Sequence, residues 1–182
     1  MTINSRRAFL RNTLAGASVL LPFPSCSSLT RGGKQLRFGL CADVHHDIMH
    51  DAVQRMQSFV GGMRSADVDF IAQLGDFVCP YDYNQPFMDA WNSFEGPRHH
   101  VIGNHDMDGG FTREQVVSFY GMPSRYHAFD SDPCRFLVLD GNDKKPDGGQ
   151  SGYSRWIGQE QLEWLEKQLE LSDRPVIILS HQ

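Results

Sequence analysis

Short apolar runs alternate along this chain with longer stretches whose apolar residues recur at helical spacing. Residues 36–42 form the first run. Behind it, residues 51–66 place Val53, Met56, Val60 and Met63 on one helical face, with Asp51 suited to the N-cap. Residues 70–74 predict a second buried strand. A loop containing Pro80 follows, then a helical stretch with Phe87, Trp91 and Phe94, and a third run at 100–102. Thr112-Arg113-Glu114-Gln115 has the form of a capping box and opens a helix through Tyr120 that Gly121 and Pro123 stop. Residues 126–130 and 135–140 flank a Ser-Asp-Pro turn and predict a hairpin. Residues 159–171 carry Leu162, Leu165 and Leu169 at helical spacing, and Pro175 introduces the run 176–179, which ends in Ser180-His181. Alternation of this kind predicts an α/β fold, a sheet covered by helices. The chain stops at Gln182 directly after what reads as a central strand, so the parent domain is expected to continue beyond it.

The chain has 182 residues, enough for one domain with a sizeable core. Its formal net charge is −5, and no run of Lys or Arg interleaves with aromatics, so nothing indicates nucleic-acid binding; an acidic substrate would need help from metal ions. Four cysteines, Cys26, Cys41, Cys79 and Cys134, form no CxxC pair; Cys41 and Cys134 read as core or strand residues. There is no internal repeat, and the linker-like segments are 25–34 and 141–152.

The N-terminus, Ser5-Arg6-Arg7-Ala8-Phe9-Leu10, precedes an apolar stretch too short for a permanent membrane anchor, and it resembles a twin-arginine export signal. An amphipathic helix or an unordered tail is the other reading. The expected division is a signal at 1–30 and one domain at 35–182. The expected address is the periplasm or cell envelope, with lipid on Cys26 if Phe23-Pro24-Ser25-Cys26 serves as a lipobox.

Each of four predicted strands runs out into groups able to bind a metal: Asp43 and His45, Asp76, Asn104 with His105, and His181. Singly, such residues are usually turn formers or N-caps. Together they point to one site, because ligands in open α/β sheets bind beyond the carboxyl ends of the strands. Asp43-Val44-His45, Gly75-Asp76 and Gly103-Asn104-His105-Asp106 occur in order, each after an apolar run. These D-x-H, G-D and G-N-H-D motifs resemble those of calcineurin-like metallophosphoesterases, and the resemblance covers roughly residues 36–181.

The resemblance implies a four-layer α/β/β/α sandwich, here without its last strands, and two divalent ions such as manganese, iron or zinc. Asp43 and His45 would hold one ion, Asn104 and His181 the other, and Asp76 would bridge them; a hydroxide between the ions would attack a phosphomonoester or phosphodiester. His105 would protonate the leaving oxygen or steady charge on the phosphoryl group, with Asp106 orienting His105. Carboxylate, amide and imidazole donors without thiolates suit such borderline and hard ions. The family's G-H-x-H motif is absent from these residues. It is expected in the continuing chain, and residues 1–182 alone are expected to bind metal weakly and to show little activity. Cleavage of nucleotide-sugar or nucleotide-alcohol diphosphates is the alternative activity, and a noncatalytic exported binding protein the alternative of another class. Phe77, Tyr81 and Tyr83 read equally as pocket lining or as packing, and His46 and His50 read as exposed loop residues, with contact to substrate as the other reading. The remaining histidines, His99, His100 and His127, carry no assignment.

Overall fold

The computed structural model describes residues 30–31, 34–146, 153 and 155–182. The export signal, Cys26 and residues 147–152 of the second linker-like segment lie outside the described residues.

A two-residue ladder, β1 (Thr30–Arg31) against β2 (Lys34–Gln35), precedes the first sheet. That sheet is β3 (Phe38–Cys41), β4 (Phe70–Gln73) and β5 (Arg98–His100), all parallel. Helices α1 (Ala52–Ser65) and α2 (Gln85–Asn92) make the crossovers, and α3 (Arg113–Tyr120) follows β5. The second sheet pairs β6 (His127–Ser131) antiparallel with β7 (Cys134–Val138), and β7 parallel with β8 (Val176–Leu179). Helix α4 (Gln159–Glu170) leads into β8 and is tied to the end of β7 by Gln161, whose side chain bonds both the N–H and the C=O of Asp140.

The two-residue period of β4 sorts its buried side chains to opposite faces. Ile71 joins Met56, Val60, Phe87, Trp91 and Val116 under α1, α2 and α3. Phe70 and Ala72 face the other way and meet Cys134, Phe136, Val138 and Leu179 of the second sheet. Phe38 and Phe70 stack at 5.0 Å and both meet Phe136 edge-on, pairs worth roughly 0.5–1.5 kcal/mol each beyond the area they bury. The result is the α/β/β/α sandwich, and the hairpin, the capping box at Thr112 and Gln115, and the helix at 159–170 stand where the pattern puts them. All three described cysteines are free.

Two details differ from the pattern. The third strand pairs at Arg98–His100, two residues before the expected apolar run, because Val101 and Ile102 stay fully buried past the end of the ladder. Asp51 occupies the N-cap position but makes no capping bond; its carboxylate pairs with Arg55 at 2.9 Å.

A buried Gln at the end of a strand costs stability unless every polar atom is bonded, and Gln73 meets that demand. Its Oε1 accepts from the Gly75 N–H at 2.6 Å, its Nε2 donates to the Val101 carbonyl at 3.0 Å, and Nε2 also lies 3.1 Å from His100 Nδ1. The Trp91 indole N–H donates to His100 Nε2 at 3.1 Å. Burial pushes His100 down to about 3, and N–H groups on both sides leave an added proton no acceptor. This network fixes the turn at Gly75, which carries Asp76.

Candidate metal centre

Because β3, β4 and β5 are parallel, the loops after them leave the same edge, and backbone hydrogen bonds stitch them together. The Asp43 N–H donates to Gly75 O at 3.1 Å, His45 N–H to Asp76 O at 2.9 Å, and His46 N–H to Phe77 O at 3.1 Å. Asp43, His45 and Asp76 all adopt left-handed backbone, with φ of 53°, 48° and 52°. Such conformations cost on the order of 1–3 kcal/mol each and gather at functional sites. Asp and His are among the side chains that tolerate them best.

The two glycines of the motifs are demanded by close approach. Gly75 has φ +95°, and a Cβ there would lie 2.6 Å from the His181 ring; one on Gly103 would lie 2.1 Å from the Asp76 nitrogen. His181 arrives from β8, in the other sheet, so the convergence expected of a single sheet is achieved by two sheets packed face to face.

Asp76 is the centre of the cluster and only 5% exposed. Its Oδ2 lies 3.6 Å from His45 Nε2 and 3.2 Å from His181 Nε2, while its Oδ1 accepts the His105 N–H at 2.8 Å. His181 Nδ1 lies 2.7 Å from the Leu74 carbonyl, which accepts the Nδ1 proton and turns Nε2 towards Asp76. Ligand atoms of Asp43, His45 and Asp76 all lie within 4.8 Å of one another. Among the described residues, the ion-pair partners of Asp76 are His45 and His181, with no Lys or Arg. A buried carboxylate faced by two imidazole nitrogens is a donor set that fits a divalent metal. Asn104 is buried beside Gly103, its amide oxygen accepting from the Gln182 side chain.

His105 stands at the rim, its ring 5.2 Å from that of His45. The expected pairing of Asp106 with it is not found. Asp106 is 1% exposed and accepts the Phe77 N–H at 2.6 Å and the Gly103 N–H at 2.7 Å, so it binds the second metal-site loop to the third. Burial pushes its carboxyl up to about 6. The side chain that meets His105 is Asp108, 2.6 Å from Nδ1, and that bond raises the imidazole pKa. Asp108 lies in a Met-Asp-Gly-Gly segment that reads as a plain turn, and Tyr153, 3.0 Å from the same Nδ1, lies beyond the linker-like stretch, so neither gives a sequence signal.

Other expectations divide. His46 is half-buried and stacks on Phe87 at 4.4 Å, whereas His50 is exposed as anticipated. Phe77 belongs to the core, and Tyr81 and Tyr83 stack on each other at 4.9 Å. His99 stacks on Phe129 of the second sheet, and neither it nor His100 or His127 reaches the Asp76 cluster.

Facing carboxylate and imidazole donors at the strand ends of an α/β sandwich define a metal-binding protein of the phosphoesterase type. The Calcineurin-like phosphoesterase model matches residues 36–182, and the chain belongs to that family. Manganese-dependent ADP-ribose/CDP-alcohol diphosphatases are similar to it. That of Oryza sativa subsp. japonica is 30% identical over 120 residues, 59% of this chain and 36% of the relative; that of Arabidopsis thaliana is 24% identical over 212 residues, 79% and 67%. A dimetal phosphatase from Danio rerio shares the fold, with a TM-score of 0.63 at 20% identity, over 80% of this chain and 69% of that one. The chain thus spans about a third of one curated relative and two thirds of the other.

Proposed function

We propose that the protein hydrolyses phosphate esters with two divalent ions. The observation that carries this is the single oxygen, Asp76 Oδ2, flanked by His45 and His181. Asp43 and His45 would hold one ion, Asn104 and His181 the other, and Asp76 both. Bound there, such ions would bring a water's pKa towards neutrality and offset charge on the phosphoryl oxygens. The chain's own part is to turn Nε2 of His181 towards Asp76 through the Leu74 carbonyl, to brace the second loop against the third through Asp106, and to present His105 to the leaving oxygen.

The names of the rice and Arabidopsis relatives favour manganese as the ion and a nucleotide-linked diphosphate as the small phosphorylated substrate. The full-length gene product is expected to hydrolyse bis-p-nitrophenyl phosphate, ADP-ribose or a CDP-alcohol with manganese, to lose activity in EDTA, and to regain it when manganese is returned. Equal rates in EDTA would reject the metal reading. Metal binding without hydrolysis of any of the three would leave the noncatalytic binding protein.

Export by the twin-arginine route is part of the same proposal and is supported by residues 5–10. Replacing Arg6 and Arg7 together by lysine is expected to hold the precursor in the cytoplasm on cell fractionation; unchanged delivery to the periplasm or envelope would discard that route.

A further inference from the structure

The loop after β7, residues 140–143, supplies no ligand in the proposal above, yet it is wedged between the two loops that would hold the Asn104–His181 ion. On one side the Asn142 side chain donates to the Ile102 carbonyl at 3.2 Å, two residues before Asn104. On the other, Gly141 lies against Gln182, the neighbour of His181: a Cβ on Gly141 would lie 3.2 Å from the Gln182 Cβ and 3.6 Å from its carbonyl oxygen. Gln182 in turn donates to the Asn104 amide oxygen, so the wedge and the two loops close a ring. Among the described residues, no hydrogen bond joins 140–143 to Asp43, His45 or the loop that carries them.

A buried carboxylate fixes the wedge. Asp140 is fully buried, and its Oδ1 accepts from the Asn142 N–H at 3.0 Å and from Asn142 Nδ2 at 2.8 Å, which aims that amide at Ile102. Its Oδ2 accepts from Arg113 at 3.0 Å and from Arg125 at 3.2 Å. The same two guanidinium groups reach Asp143 Oδ1 at 2.8 and 2.9 Å, and the Gly158 N–H donates to Asp143 Oδ2 at 2.8 Å. With Gln161 on the backbone of Asp140, the first turn of α3, the approach to β6 and the start of α4 all converge on four residues. Buried ion pairs add little net stability, because desolvation offsets the attraction. Their demand is geometric: planar guanidinium groups shared between two carboxylates admit few arrangements.

We infer that Asn142, aimed by Asp140, is a positioning residue for one ion of the pair. It sets the Ile102–Asn104 segment against His181 and Gln182, and it leaves the Asp43–His45 side to the cross-loop backbone bonds. This rests on the two-ion reading. Asn142 acts through the Ile102 carbonyl, so its removal should loosen one position and spare the other.

Full-length protein tests this by binding rather than by turnover. Wild type should take two manganese ions in calorimetry. In Asn142→Ala one ion should bind about 10- to 100-fold more weakly, the range seen when an outer hydrogen-bond partner of a metal site is removed, and the other should stay within about threefold. Double variants identify the site. Added to His45→Ala, Asn142→Ala should abolish the remaining tight binding; added to Asn104→Ala, it should change little. Gly141→Ala, which presses on Gln182 from the other side, should weaken the same ion. In metal-free protein, amide hydrogen exchange at residues 103–105 should speed in Asn142→Ala while that at 43–46 stays unchanged. Equal loss of both ions, unchanged binding of both, or the reverse pattern in the double variants would overturn the inference. A wild type that takes fewer than two ions would remove the two-ion reading and this role with it, a result visible before any variant is made.

Discussion

Asp76→Ala is expected to leave less than about a thousandth of wild-type hydrolysis, a loss of roughly 4 kcal/mol of transition-state stabilisation at 1.36 kcal/mol per tenfold. Among the described residues, none meets more of the site. One oxygen faces both His45 and His181, and the other accepts the His105 N–H. On the proposed assignment, removing the carboxylate would take the shared ligand from both ions, and it unpairs a partly buried donor, an omission that costs about 1–3 kcal/mol. Because φ at this position is 52°, alanine also adds backbone strain that asparagine would not. Asp76→Asn is the cleaner companion: it keeps the shape, tolerates the left-handed conformation and removes only the charge. Manganese titration by calorimetry should show two sites in wild type and at most one in either variant, with circular dichroism unchanged for Asp76→Asn. Full activity in Asp76→Asn would remove Asp76 from the metal-bridging position.

Gly103→Ala is expected to disable the site from a position that offers no ligand atom. The new Cβ would lie 2.1 Å from the Asp76 nitrogen and 2.2 Å from its Oδ1, and the nitrogen is backbone that cannot swing aside. The β4 and β5 loops must separate, which pulls Asp76 from the histidines and strains the bond from the Gly103 N–H to Asp106. Overpacking of this kind costs about 1–3 kcal/mol, or a Tm lower by roughly 2–12 °C for a domain of this size. A displacement of about 1 Å suffices to lower activity about a hundredfold. Gly61→Ala is the control: it lies within α1, a Cβ there meets nothing, and alanine is the better helix former by about 1 kcal/mol. Equal effects of the two substitutions on Tm and kcat would show that Gly103 is a loop glycine whose place alanine can take.

The sequence by itself determined the elements and the residue types of the site. Apolar runs at 70–74 and 176–179, the leucine period at 159–171 and the Thr112–Gln115 capping box are local signals, set by neighbours within a few positions. The same locality singled out Asp43, His45, Asp76, Asn104 and His181 as candidates, because each follows closely on an apolar run. The strand at Arg98–His100 was misplaced by two residues because an apolar run records burial, and burial continues through Val101 and Ile102 after the ladder ends.

Only the tertiary structure decided how these pieces meet. Nothing local assigns β8 to a second sheet, since sheet membership depends on which faces bury each other; yet it is this packing that brings His181 to Asp76 from 105 positions away in the chain. The left-handed backbone at Asp43, His45 and Asp76 is imposed by cross-loop hydrogen bonds to Gly75, Asp76 and Phe77, partners no local preference selects. Asp106 and Asp108 look alike in sequence, two aspartates either side of Met107. One is buried as a brace between loops and the other is turned onto the His105 ring, because burial and direction are properties of the assembled fold.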